Sequence, residues 1–173
     1  MDLPGLLRLA YSAERAAAYA YRGHASSVRD AAERARIAVI EAEEWQHREH
    51  AARMMRRLAV RPSRYLELKY AVIGRVIGWS CHLIGHFMPM YFAGRLESGN
   101  VNEYLRLIEL VRGTALADEH ACILEMARVE KEHEMWFLER VSGHPWLPRF
   151  TRFFGWGAGR SFNAFPLGER AAG

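Results

Sequence analysis

The chain has 173 residues, of which 50% are hydrophobic and 25% charged, a balance that is typical of one globular domain and excludes a disordered chain. A domain of this length buries enough apolar surface to fold without a structural metal. Cys81 and Cys122 lie far apart, which excludes a paired-cysteine zinc module and a disulfide scaffold and favours a reducing compartment. The formal net charge of +4 favours an anionic partner only weakly.

The first part of the chain has the periodicity of long helices. Apolar residues recur there at three- and four-residue steps, and glycine and proline are sparse, which predicts helices rather than strands. The first helix is predicted over Leu3–Gly23. The second is predicted from Val28 to Leu58, with Ser27 and Asp30 forming a capping box at its start.

The second part contains two more predicted helices. The hydrophobic stretch after Pro62 is interrupted by glycines and is interpreted as a crossover connection. A third helix is predicted over Met90–Val111, and a fourth follows Thr114 as its N-cap. The prediction is therefore an all-α four-helix bundle over residues 1–142 with an apolar crossover, followed by an amphipathic helix or tail over residues 143–173.

Each predicted helix carries a glutamate on its apolar face. Two of the helices contain Glu-x-x-His, at residues 44–47 and 130–133, and residues three apart share one side of a helix. One such motif from each of two helices, with one Glu from each of the other two, is the pattern of bundles that bind two iron or manganese ions. The predicted metal ligands are Glu14, Glu44, His47, Glu97, Glu130 and His133.

Charge supports a metal site, because four buried carboxylates would repel one another unless cations neutralised them. Oxygen and imidazole ligands suit iron or manganese better than copper(I) or a thiolate-type zinc site. Glu41 is one helical turn before Glu44, and Glu119 is about three turns before Glu130 on nearly the same stripe; both are expected near the site. Other acidic residues close to the ligands in sequence, including Glu132 and Glu134, are expected on solvent-facing surfaces.

Further features accompany the ligands in chain order. They are Tyr21-Arg22-Gly23-His24 after Glu14, the link Val60-Arg61-Pro62-Ser63, and Gly85 and Tyr104 on either side of Glu97. With the ligand pattern, these features resemble the demethoxyubiquinone hydroxylase family of ferritin-like di-iron monooxygenases. That family usually has a second Glu after the third-helix ligand and a His before the tyrosine, where this chain has Ser98 and Glu103.

The resemblance implies a ferritin-like fold, two iron ions held by the six predicted ligands, and Tyr104 as a catalytic residue near the metals. The implied reaction is hydroxylation of a ring carbon in a polyprenyl benzoquinone during ubiquinone synthesis. O2 would be the co-substrate, and NADH or another external reductant would supply electrons. Two alternatives stay open: another di-iron enzyme, such as a tRNA hydroxylase or a peroxidase, and a metal-storage or interaction bundle.

Two segments suggest contact with a membrane. Residues 76–94 carry no formal charge but are interrupted by His82, His86 and Pro89, so a surface segment is expected rather than a spanning helix. The tail combines aromatic residues with arginines, which suits either a headgroup boundary or packing on the bundle. A cytoplasmic protein at the inner face of the membrane, with a lipid-soluble quinone substrate, is expected. No nucleic-acid partner is expected, and a homo-oligomer or a biosynthetic complex is left open.

Overall fold

The computed structural model describes residues 1–165, so the last part of the predicted tail lies outside the described residues. The α-helices within this range are α1 (Leu3–Ser27), α2 (Ala31–Arg57), α3 (Arg64–Ser80), α4 (Phe87–Val111), α5 (His120–Val141) and α6 (Leu147–Phe154). A short 3₁₀ helix, Ala117–Glu119, precedes α5, and one isolated bridge joins Gly157 to Arg160. These elements confirm the all-α helical class.

The described residues form two compact units, which we call unit 1 and unit 2. Unit 1 consists of Met1–Pro89 and Leu110–Glu119, and unit 2 consists of Met90–Glu109 and the chain from His120 onward. Unit 1 therefore contains α1, α2 and α3, and α1 packs against both of the others. Unit 2 contains most of α4 together with α5 and α6.

The turn between α1 and α2 differs from its prediction. Helix α1 continues through Ser27, whose hydroxyl donates to the carbonyl of His24 at 2.7 Å. Asp30 is the N-cap of α2, and its carboxylate accepts from the backbone N–H of Glu33 at 2.8 Å. The predicted capping box was therefore wrong, because Asp30 is itself a good N-cap and Ser27 bonds back into the preceding turn.

The start of α5 also differs from its prediction. The hydroxyl of Thr114 donates to the carbonyl of Val111 at 2.8 Å and accepts from the N–H of Leu116 at 3.1 Å. Thr114 thus closes a turn after α4, and α5 begins only at His120. The predicted N-cap was wrong because a threonine hydroxyl satisfies backbone groups in turns as well as at helix starts.

The predicted crossover segment contains α3, a helix of 17 residues capped by Ser63. The interruption falls in residues 81–86, which include Gly85, and not at Gly74 or Gly78. Gly74 and Gly78 instead allow close packing on α1: a Cβ at Gly74 would lie 2.3 Å from the carbonyl oxygen of Ala16, and one at Gly78 would lie 2.8 Å from that of Tyr19. The backbones of α1 and α3 are therefore in direct contact.

We expect Gly23→Ala to destabilise the protein by about 1–3 kcal/mol, as overpacking does in a tight contact. A Cβ at Gly23 of α1 would lie 2.4 Å from the Cα of Gly78, a backbone atom that cannot move away alone. Gly99→Ala is the matched control, because a Cβ there meets nothing within 4 Å, and it should stabilise α4 by about 0.5–1 kcal/mol. Denaturant unfolding measures both changes; equal effects would contradict the prediction.

The aromatic tail folds back within unit 2. The ring of Tyr91 on α4 lies 5.1 Å from that of Phe150 and 5.2 Å from that of Trp156, and Trp156 is fully buried. Phe153, in contrast, is 82% exposed. One face of α6 therefore packs on α4. Packing of the tail on helices was one of the two arrangements expected from the sequence. None of the helices within residues 1–165 has the length and apolarity needed to cross a bilayer.

Candidate metal centre

Unit 1 brings three of the predicted ligands together. Glu14 comes from α1, and Glu44 and His47 come from one face of α2, where they are three residues apart. All three side chains are buried. Each offers a ligand atom, and these atoms lie within 4.8 Å of one another. We call these residues the unit 1 triad.

Unit 2 brings the other three predicted ligands together in the same way. Glu97 comes from α4, and Glu130 and His133 come from one face of α5. All three have no exposed surface, and their ligand atoms lie within 4.8 Å of one another. The Nδ1 atom of His133 is 3.9 Å from Oε2 of Glu130. We call these residues the unit 2 triad. Glu97 lies in the regular helix α4, as predicted.

The donor set of each triad fits a divalent metal ion. Each triad holds two carboxylates and one imidazole in a buried position. Burial and mutual repulsion both disfavour two neighbouring ionised carboxylates, and a cation between them relieves both effects. Carboxylate oxygen and imidazole nitrogen are ligands that iron and manganese accept. Each buried Glu/His cluster could therefore hold a metal ion.

The buried residue Glu134 lies one turn beyond Glu130 on α5, and the sequence prediction missed it. It was expected on a solvent-facing surface, but it is only 1% exposed. One carboxylate oxygen accepts from Nε1 of Trp156 at 2.9 Å and from the hydroxyl of Ser161 at 2.6 Å. The other accepts from Nζ of Lys131 at 2.9 Å. The four-residue spacing from Glu130 was the available signal, since it places both carboxylates on one helix face.

Ser98 occupies the position where the family resemblance would place a second glutamate. It is fully buried, and its hydroxyl accepts from the backbone N–H of Phe162 at 2.8 Å and lies 3.0 Å from the hydroxyl of Ser161. Its carbonyl accepts from the amide of Asn163 at 2.9 Å. The tail thus binds directly to the residue that follows the predicted ligand Glu97, and this position serves tail packing in unit 2.

The remaining predicted residues have defined surroundings. Tyr104 is buried on α4 seven residues after Glu97, a spacing of two turns that puts both on one helix face. Glu41 forms an ion pair with Arg22 at 2.7 Å. Glu119 is buried and pairs with two arginines of α2, Arg53 and Arg57. The hydrogen bond from Arg53 is the main cause that lowers the pKa of Glu119, so this carboxylate is ionised and already paired with cations.

Comparison with known proteins identifies the family. A family model described as ubiquinone biosynthesis protein COQ7 matches residues 2–112. The match includes the unit 1 triad and Glu97, whereas Glu130 and His133 lie beyond it. No curated protein and no solved structure matches the chain at a significant level. Because the matched residues make up more than half of the chain and confirm the resemblance, the protein belongs to the COQ7 family, whose role is in ubiquinone biosynthesis.

Proposed function

We propose that this protein is a di-iron monooxygenase that hydroxylates a ring carbon of a demethoxyubiquinone-like polyprenyl quinone. The observation that carries the proposal is the presence, in a chain of the COQ7 family, of two buried triads with the same donors. Neither fact would suffice alone. Family membership does not identify the cofactor, and buried carboxylates do not identify the substrate.

We propose further that the six residues of the two triads are the ligands of two iron ions. The support is the order along the chain, Glu then Glu-x-x-His in each triad, which is the ligand pattern of di-iron and di-manganese helix bundles. Two divalent cations carry the charge that balances four carboxylates. Titration of the metal-free protein with Fe(II) should therefore reach about two ions per chain.

The reaction balance defines what the protein must provide. One atom of O2 enters the ring as a hydroxyl group and the other leaves as water, which requires two electrons and two protons. A donor, proposed to be NADH or another external reductant, supplies the two electrons; if it is NADH, its hydride carries one of the protons and solvent provides the other. Iron supplies the activation of O2. The six ligands are buried, which excludes bulk water from the reacting groups. Tyr104, on the same face of α4 as Glu97, is proposed as the catalytic residue that donates a hydrogen bond or a proton.

The deciding experiment is quinone analysis by mass spectrometry in a host that lacks its own hydroxylase. Expression of the protein should convert the accumulated demethoxyquinone into a product with one more oxygen atom. His47→Ala should abolish this conversion, and Glu49→Gln should not, because Glu49 is an exposed glutamate on the same helix. Turnover of hydrogen peroxide without any change in quinones would indicate a peroxidase, and accumulation of ferric mineral would indicate metal storage.

We propose that α3 rests on the inner face of the membrane, where a polyprenyl quinone resides. Its outward side presents large apolar residues at three- and four-residue steps. They are Tyr65, Leu68, Val72, Val76 and Trp79, each more than half exposed. Exposed Arg64, Lys69 and Arg75 lie on the same helix. Its only carboxylate, Glu67, pairs with Arg15 and Arg48. An apolar stripe with cations beside it suits an anionic lipid surface.

We expect Leu68→Glu and Val76→Glu each to weaken binding to anionic lipid vesicles by about tenfold or more, since each removes the burial of one large apolar side chain. Co-sedimentation with vesicles measures the change. Val39→Glu is the matched control, because Val39 is an exposed apolar residue of α2. Hydroxylation of a short-chain, water-soluble quinone should be unaffected by all three substitutions. Equal vesicle binding by the three variants would contradict a membrane role for α3.

A further inference from the structure

Asn100 links two ligands of the unit 2 triad that come from different helices. It lies on α4 three residues after Glu97, and its side-chain amide donates to Oε2 of Glu97 at 2.9 Å. The same amide nitrogen donates to Oε2 of Glu130, on α5, at 3.4 Å. Asn100 is half-buried, whereas both carboxylates are fully buried. The amide therefore stands at the edge of the triad and bonds inward to both carboxylates.

The chemistry of an amide suits this place. Its nitrogen carries two N–H donors and no charge, so one group can serve two carboxylates without adding a charge to the site. A hydrogen bond to one oxygen restricts the rotation of a carboxylate about the bond that joins it to the rest of its side chain. An alanine would remove both of these hydrogen bonds, and an acidic residue would add a third negative charge.

We propose that Asn100 is a positioning residue for metal binding. Its amide holds Glu97 and Glu130 in one fixed relative orientation before a metal ion arrives, which raises the affinity of the unit 2 triad for a divalent cation. Groups that orient metal ligands in this way change metal affinity by about 10–100-fold when they are removed. The inference rests on the proposed function only in requiring that the triad binds a metal.

The test measures the affinity of the metal-free, full-length protein for Mn²⁺ from the electron paramagnetic resonance signal of the unbound ion. Asn100→Ala should weaken the binding by about 10–100-fold, and Asn100→Ser should do the same because its shorter side chain cannot span both carboxylates. Asn100→Gln retains the amide and should recover most of the affinity. Asn102→Ala is the matched control, since this asparagine is on the same helix but its amide donates to the carbonyl of Phe162.

A second readout separates ligand orientation from general stability. The visible absorption of bound Co²⁺ reports the coordination geometry, and it should change in Asn100→Ala and Asn100→Ser but not in Asn102→Ala. Unchanged Mn²⁺ affinity and an unchanged Co²⁺ spectrum in Asn100→Ala, or in Asn100→Ser if the alanine variant does not fold, would overturn the proposal. Failure of the unaltered protein to bind any Mn²⁺ or Co²⁺ would instead overturn the proposed metal site.

Discussion

Replacement of Glu134 by leucine should lower the free energy of unfolding by about 3–5 kcal/mol, the range found when one partner of a buried ion pair is removed. The ammonium group of Lys131 would stay buried without its carboxylate partner, because both side chains are at most 9% exposed. The donors on Trp156 and Ser161 would lose their acceptor as well. Denaturant unfolding of the metal-free protein measures the change.

Two further variants separate the causes of this loss. Lys131→Met combined with Glu134→Leu should be more stable than Glu134→Leu alone, because the double variant leaves no unpaired buried charge. Glu132→Gln should cost no more than about 1 kcal/mol, since its ion pair with Arg128 is at the surface. If Glu134→Leu were no more destabilising than Glu132→Gln, the buried network would not contribute to stability.

The same network makes the stability of the protein depend on pH. Burial alone would raise the pKa of Glu134, but hydrogen bonds from Ser161, Lys131 and Trp156 outweigh it and hold the pKa below its ordinary value. A carboxylate whose pKa is lowered in the folded state stabilises the protein above its unfolded pKa and loses that contribution as the pH falls through the folded value. Part of the acid sensitivity should therefore disappear in Glu134→Leu.

Replacement of Glu130 by glutamine should have opposite effects on metal binding and on metal-free stability. The variant loses a proposed charged ligand, so we expect metal affinity and quinone hydroxylation to fall by at least about 100-fold, more than the loss of an orienting group. The metal-free protein should become more stable, because the neutral amide relieves the repulsion between Glu130 and Glu97, whose ligand atoms lie within 4.8 Å.

Thermal unfolding with and without Fe(II) measures both effects of Glu130→Gln. The unaltered protein should gain stability when the metal is added, as any ligand of the folded state produces, and the variant should not. Glu125→Gln is the matched control on α5, because Glu125 is exposed and pairs with Arg128. Metal-induced stabilisation that survives in Glu130→Gln would contradict its assignment as a ligand.

Helical periodicity was sufficient to place the predicted ligands on their helices. Glu97 is followed by Ser98-Gly99-Asn100, a sequence typical of a turn, yet the apolar spacing on both sides kept it in helix α4. Periodicity works here because a long amphipathic face is defined by many residues, so one unfavourable tripeptide does not cancel it.

The errors concern interactions that periodicity does not report. Ser27 and Thr114 have side chains that can satisfy backbone groups in a turn or at a helix start, and only the fold decides between these. Glu134 is buried because residues 156–163, more than twenty positions later, cover it and donate hydrogen bonds to it. The exposed apolar stripe of α3 has the same spacing as a buried stripe. The sequence alone therefore does not tell whether such a stripe faces water or the core.

The dependence of Glu134 and Ser98 on the tail has a consequence for synthesis. A growing chain folds from its N-terminus, and α1, α2 and α3 of unit 1 are complete early in translation. Helices α4 and α5 carry buried polar groups whose partners are Trp156, Ser161 and Asn163, so unit 2 reaches its final stability only after these residues leave the ribosome. Newly made chains should therefore pass through a stage in which unit 2 is open to proteases.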